Sequence, residues 1–456
     1  MAVDLRKFFQ ATDPGKTLFV ANPEDKKLYI DFSSVRGGKI IEELKDNITF
    51  FSPDDPTCVL FTGHIGCGKS TELLRLKLEL ELDGFHVVYF ESSEDLEMAD
   101  VDIGDVMLAI ARRVSQSLDK ITLEEPRKLK ELLQGAVNVL NSEVTGVKLK
   151  LPEISGVPKI GDIGITSEKE KLSIAFGIGE ITTKVKSDSK LREKLNQYLG
   201  PQKTQLLEAI NKELLEPAIA KLKQLGKKGL VVIVDNLDRI DNRQKGWGRP
   251  QHEYLFVDQG ECLTKLHCHL VYTMPLALKF SNDYGNLTQR FSEDPKVLPM
   301  VPVQLQDGSQ CEAGMALLRQ MVLARAFPDL DEDNRLDNIT EIFDSPETLD
   351  RLCSVSGGHV RDLLRLLNTW IRKGRQLPLS RETLEEVIRS RRNEMTMPIS
   401  DNEWELLRQV RQRKKVSDDD GYQKLIRSRL VFEYRDNGES WFDINPILAE
   451  ARELQP

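Results

Sequence analysis

A chain of 456 residues with 40% hydrophobic and 30% charged side chains has an ordinary globular composition, with room for about three domains. Its net charge of −9 excludes a protein coated uniformly in nucleic acid, while leaving room for a local basic face. Six scattered cysteines fit a reducing compartment better than a disulfide framework. The first ten residues lack the apolar core of a secretory leader, and no run approaches the ~20 apolar residues of a membrane span. A cytoplasmic protein without membrane contact is expected.

Residues 1–50 lead into the strongest motif. Leu28-Tyr29-Ile30-Asp31-Phe32 reads as a short strand, and a helix runs from Gly38 to Leu44, ending near Asn47. Val35 and Arg36 lie between them, either as contacts to a nucleotide base or as an ordinary surface turn. Val59-Leu60-Phe61-Thr62 then reads as a short buried strand. Gly63-His64-Ile65-Gly66-Cys67-Gly68-Lys69-Ser70 follows in the pattern G-x-x-x-x-G-K-S, and Thr71 to Leu78 continues with helix formers. The residue types match a chemistry. Glycines let the backbone wrap a polyphosphate, and successive N–H groups point inward as an anion nest. The helix N-terminus adds positive potential, Lys69 reaches the β- and γ-phosphates, and Ser70 is a ligand for Mg²⁺.

Asp83-Gly84 stops that helix, His86 to Phe90 reads as a second buried strand, and helices follow over Asp102–Ser117 and about Glu124–Leu140. From Asn141 to about Ser189 short alternating runs suggest hairpin strands: Val147 to Leu151, Leu172 to Phe176 and Ile181 to Val185. Helix returns from Leu191 to Leu225, broken around Gly200-Pro201 and by Pro217. Residues 141–226 therefore read as an insertion, serving as a structural arm or as a docking element for a partner.

Leu230 to Val234 ends in Asp235, the pattern of a central parallel strand that delivers a carboxylate to the ligand-binding edge. Asp235 is the second candidate Mg²⁺ ligand. Hydrolysis also needs a carboxylate that takes a proton from the attacking water. Asn236 can orient a water but cannot take its proton, and Asp238 on the same loop is the candidate base, with a surface ion pair beside Arg239 or a helix cap as the alternative. Leu270 to Pro275 is a further strand, with Thr273 at its tip facing the γ-phosphate position. Cys262, His267, Cys268 and His269 match no usual metal spacing. Arg290 is a candidate arginine finger for a neighbouring subunit, with a solvated surface arginine as the alternative. Helices then span Gln310–Ala326, Pro346–Ser354, His359–Gly374 and Arg381–Arg392. The third opens Ser356-Gly357-Gly358-His359-Val360-Arg361, which puts Arg361 one turn inside it.

From Ser400 the pattern is helix (Glu403–Arg413), helix (Asp419–Ser428) and a hairpin turning at Asn437-Gly438. This is the plan of a winged helix. Lys424, Arg427, Arg429 and Arg435 form a candidate DNA-facing set, or a solvated face on a module that contacts protein.

In this order, the pieces resemble the AAA+ ATPases and the related STAND NTPases, with the origin-recognition ATPases nearest in plan. The resemblance covers roughly residues 28–120 and 228–450. It implies an α/β fold: a parallel P-loop (RecA/AAA+-like) sheet with an inserted β/α arm, then an α-helical lid and a winged helix. The expected divisions are 1–50 leading in, 51–305 for the nucleotide domain with insertion 141–226, 306–398 for the lid and 399–456 for the winged helix. It further implies Thr273 as first sensor, Arg361 as second and Arg290 as finger. Two features depart from it: Asn236 follows the strand acid where a second acid is common, and Met274 follows Thr273 where many STAND proteins carry arginine. The expected function is an ATP-binding, ATP-hydrolysing switch, by analogy a bacterial signalling or defence regulator that forms a homo-oligomer or engages a protein partner. The rival readings are a DNA-binding origin-recognition-like or transposition-like ATPase and a scaffold stabilised by nucleotide without turnover.

Overall fold

A computed structural model describes residues 3–118, 126–141, 167–417, 420–436 and 438–455. Five strands form its central sheet: β1 Cys58–Gly63, β2 His86–Glu91, β3 Leu230–Asp235, β4 His269–Met274 and β5 Lys296–Leu298. All pairings are parallel, in the order β2-β3-β4-β1-β5. Strand β4 thus separates the P-loop strand from the acid-tipped strand, and all three end on one edge. Every residue of β3 and β4 is buried, as expected for central parallel strands covered on both faces.

Successive strand residues point to opposite faces, which splits the core in two. Leu60, Val232, Val234, Leu270 and Tyr272 join one cluster with the helices after β2, and Val59, Phe61, Val231, Ile233 and Val271 join another. Leaving aside short turns of helix, the helices in chain order are α1 Leu5–Ala11, α2 Pro23–Leu28, α3 Ile40–Asp46, α4 Lys69–Leu82, α5 Ile103–Ser117, α6 Arg127–Asn141 and α7 Ser167–Ser187. Next come α8 Ser189–Leu199, α9 Lys203–Ile210, α10 Glu216–Gln224 and α11 Tyr284–Arg290. A helical region follows with α12 Glu312–Ala326, α13 Pro346–Val355, α14 Val360–Gly374 and α15 Arg381–Thr396. Its core also takes Phe8 and Phe32 from the start of the chain. The last elements are α16 Asp401–Arg413, α17 Asp420–Arg427 and the antiparallel strands β6 Val431–Asp436 and β7 Glu439–Ile444.

The structure corrects three sequence expectations. Residues 28–32 form no strand, because α2 occupies 23–28: Asn22 accepts the Glu24 N–H as its cap and Pro23 sits in its first turn. The runs at 172–176 and 181–185 belong to the single helix α7 rather than to hairpin strands. Ile178, Ile181 and Val185 form a buried stripe at helical spacing, and that stripe decides the period. Pro217 does not end the helical run from Lys203 to Gln224; a π-helical turn, Asn211–Leu215, immediately precedes it, and α10 resumes at Glu216. The run Val147 to Leu151 lies outside the described residues.

Candidate functional site

The loop from Gly63 to Gly68 closes between the carboxyl end of β1 and α4, as its glycines require. Gly66 has φ +96°, and a Cβ there would lie 2.7 Å from the His359 ring and 2.9 Å from Arg361 Cβ. The glycine therefore serves the approach of α14 to the loop as much as the turn itself. The cleft beside it is lined by Ile65, Gly66, Gly68, Lys69, Ser70 and Thr71 from the loop. Asp235, Asn236, Asp238 and Arg239 enter from the end of β3, and Val360, Arg361 and Leu364 from α14. Lys16 and Thr17, which carry no motif, line it from the start of the chain.

Lys69 is 5% exposed. Its Nζ donates to Gly63 O at 2.8 Å and His64 O at 2.9 Å, and it pairs with Asp238 Oδ2 at 2.9 Å. Burial is the largest influence and works against its charge, but the neighbouring groups, led by Asp238, together outweigh it and hold its pKa above the ordinary lysine value. Asp238 Oδ1 is buried without a hydrogen-bond partner. Asp235 accepts the Tyr89 hydroxyl at 2.8 Å and the Asn236 N–H at 2.6 Å, and the Ser70 hydroxyl is within hydrogen-bonding reach. Burial and then the charge of Asp238 hold its carboxyl above the usual carboxylate range. Two acids that repel each other around one lysine, with a hydroxyl beside them, suit a polyphosphate with a divalent cation.

Some expected residues lie elsewhere. Thr273 does not line the cleft: its hydroxyl is buried, accepting the Leu237 N–H at 2.9 Å and donating to Val234 O at 3.4 Å. It braces the acid loop instead of facing a phosphate. Val35 packs on the core of the helical region, whereas Arg36 donates from Nη2 to Cys67 O at 2.8 Å. Arg36 lines an adjoining cavity with Leu28, Ile30, Phe32 and Arg325, next to Gly68 and Thr71. Arg290 is exposed at the end of α11 and lines neither cavity. Sequence reasoning missed Tyr89 and Glu91 at the end of β2. Glu91 accepts the Asn236 side-chain N–H at 2.6 Å, and the only signal was an acid placed straight after a buried strand.

The C-terminal hairpin also reaches the loop. The His64 Nε2 accepts the Glu433 N–H at 2.9 Å, and the His359 Nε2 donates to Ile65 O at 2.8 Å. His359 Nδ1 lies 3.0 Å from the Asp362 N and 3.1 Å from Asp362 Oδ2, which holds the ring in place. Phe432 lies between the two rings, edge-on to His64 at 5.4 Å and stacked on His359 at 5.5 Å. Tyr434 donates to Gly357 O at 2.9 Å, and the Arg361 N–H donates to Gly66 O at 3.1 Å. The loop, α14 and the hairpin therefore meet in one packed contact. Of the candidate DNA-facing set, Lys424 and Arg427 are exposed one turn apart on α17, Lys424 pairs with Glu403, Arg427 lines a cavity behind the loop, Arg429 follows the helix at φ +59°, and Arg435 lies against Gly37.

Among the described residues no helix is long and apolar enough to cross a membrane. Among solved structures the chain is similar to the Walker-type ATPase PABY2304 of Pyrococcus abyssi, at 12% identity over 96% of this chain and 98% of that one, with TM-score 0.38. It is also similar to the Aeropyrum pernix ORC2 protein in ADPNP–ADP complexes, at 13% identity over 91% of each chain and TM-score 0.41. A third is the Aeropyrum pernix ORC1 protein in complex with DNA, at 11% identity over 90% of this chain and 91% of that one, with TM-score 0.34. The search of curated proteins found no match. By sequence, where the motifs suggest the AAA+ and STAND groups, residues 38–244 match the KAP family P-loop domain.

Proposed function

We propose that this chain is an ATP-binding and ATP-hydrolysing switch, in which nucleotide at the P-loop sets the packing of the helical lid and of a C-terminal winged helix. The observation that carries this reading is the shared contact at Phe432. One aromatic side chain touches His64 of the phosphate loop and His359 at the start of the lid helix. A change in the loop on nucleotide binding is felt by both neighbours at once. The domain limits stay as read from sequence, with a nucleotide domain over 51–305, a lid over 306–398 and a winged helix over 399–456.

In this reading the loop N–H groups and Lys69 bind the triphosphate, and Arg36 and Arg325 border the base. Ser70 and Asp235 would hold Mg²⁺; their mutual contact and the raised carboxyl of Asp235 fit a hard cation. When bound, it neutralises charge on the phosphate oxygens. Asp238 takes the proton of the attacking water once the phosphate has drawn Lys69 away from it. Arg361, which lines the cleft from the lid, reports the γ-phosphate to that lid. A finger role for Arg290 requires a second copy of the chain, consistent with its exposure. Amide exchange of residues 429–445 in ATP and in ADP tests the proposal: a nucleotide-dependent difference supports it, and identical protection contradicts it.

A further inference from the structure

The start of the chain runs along the edge of the nucleotide cleft as a short strap, held at both ends by elements that line the cleft. At one end the Asn368 side chain of α14 donates to Thr12 Oγ1 at 3.1 Å and to Phe9 O at 3.3 Å. At the other the Leu18 N–H donates to Thr71 Oγ1 at 3.4 Å, in the first turn of α4. Asp13 organises a turn between them. Its side chain accepts the Gly15 N–H at 2.8 Å and its carbonyl the Lys16 N–H at 3.2 Å. Pro14, Lys16 and Thr17 then line the cleft together with the loop and α14.

Lys16 also lines the adjoining cavity that holds Arg36 and Arg325. The two spaces share Lys16, Gly68, Thr71, Val360 and Leu364, and of these only Lys16 carries a charge. With the terminal phosphates at Lys69 and the base towards Arg36, the ribose and the α-phosphate fall at that junction. A phosphate there meets the start of α4 and one ammonium on a long, flexible stem. The Lys16 side chain is 41% exposed, and its Nζ pairs with Asp25 Oδ1 at 2.5 Å. Asp25 Oδ2 separately accepts the Phe19 N–H at 3.1 Å, so the carboxylate keeps a partner when the ammonium turns to a phosphate.

We propose that Lys16 binds the α-phosphate of the nucleotide, on a strap that ties the lid helix α14 to the P-loop helix α4. The inference rests on the nucleotide-site reading above and adds a binding residue that no motif marks. Asp25 holds the ammonium when no phosphate does. Because ADP and ATP share the α-phosphate, the contact serves both nucleotides equally, unlike a contact that reads the γ-phosphate. It draws the strap, and with it the lid, onto whichever nucleotide is bound.

The test is calorimetric titration of the full chain with ADP and with a non-hydrolysable ATP analogue. Lys16→Ala is expected to bind both about ten- to a hundredfold more weakly, the scale of one charge-assisted hydrogen bond, and by the same factor for each. Lys16→Arg should recover most of the loss. Asp25→Asn keeps an acceptor for the Phe19 N–H and releases the ammonium, so it should bind at parent affinity or more tightly. Lys16 is exposed, and parent-like melting curves show that the variants fold. Parent affinity in Lys16→Ala overturns the contact while leaving the nucleotide site intact. So does a loss confined to the ATP analogue, or an equal loss in Asp25→Asn, which would make Lys16 only a fastener of the strap. Failure of the parent to bind either nucleotide overturns the nucleotide-site reading and this contact with it.

Discussion

Lys69 and Asp238 form a buried ion pair at 2.9 Å, with side chains only 5% and 3% exposed. The lysine that a P-loop uses for phosphate is here engaged by an acid and by two carbonyls of its own loop. In the proposed reading a triphosphate replaces those acceptors and frees Asp238 beside the γ-phosphate, so that the pair acts as a latch opened by substrate.

Asp238→Asn tests the chemical half of that relationship. The amide keeps an acceptor for Lys69 but cannot take a proton. ATP and Mg²⁺ affinity should stay within a few-fold while single-turnover hydrolysis falls ~100-fold or more. Removing the counter-charge from a buried lysine should also lower stability by about 3 kcal/mol, read from denaturant midpoints. Asn236→Ala should slow hydrolysis much less.

Arg361→Ala separates nucleotide sensing from lid docking. The docking bond to Gly66 O comes from the Arg361 backbone N–H, which alanine keeps. ADP should therefore bind as in the parent, while the ATP-dependent change in protease protection disappears. Equal loss of both nucleotides would make Arg361 a structural residue.

Phe432→Ala removes the ring that touches both histidines. Truncating a fully buried phenylalanine costs about 3–5 kcal/mol. Amide exchange should rise over 431–444 and at the start of α14 together. A rise confined to the hairpin would show that Phe432 does not couple the two.

The strands β1 to β4 and the loop were legible because each rests on a local signal, whereas the strand order and the short β5 were not. A buried run followed by glycines, or by Asp235, announces itself in a few residues. The helix α7 was misread because short runs such as Ile181 to Val185 fit alternation, whereas the stripe Ile178, Ile181, Val185 shows only over two turns. The helix α2 was missed although Asn22-Pro23 is a start signal. Leu28 to Phe32 is apolar enough to suggest a strand, and the cap six residues upstream decides otherwise. The meeting of His64, His359 and Phe432 was illegible for a different reason: the three lie far apart in the chain, and none sits in a pattern that demands the others.

Stability should depend on pH through buried histidines. Burial pushes His252 and His269 down to about 4, and holds His64 well below its ordinary value. The unfolded chain takes up protons near pH 6.5 that the folded chain refuses. Stability from these residues is present above pH 6.5 and is lost as pH falls towards 4, by up to about 3 kcal/mol for each group that shifts by two to three units. Denaturation midpoints from pH 7 to pH 4.5 should fall accordingly, and His252→Gln should flatten the slope by about one proton. A flat profile would mean that these imidazoles are solvated.

Equilibrium titration of a fluorescent ATP analogue against Lys69→Ala tests the nucleotide site most directly. The variant should still melt cooperatively, because Lys69 contacts loop carbonyls and Asp238 rather than the apolar core, and it should lose measurable nucleotide binding. A folded Lys69→Ala chain that binds the analogue with parent affinity would contradict the assignment of this loop as the phosphate site.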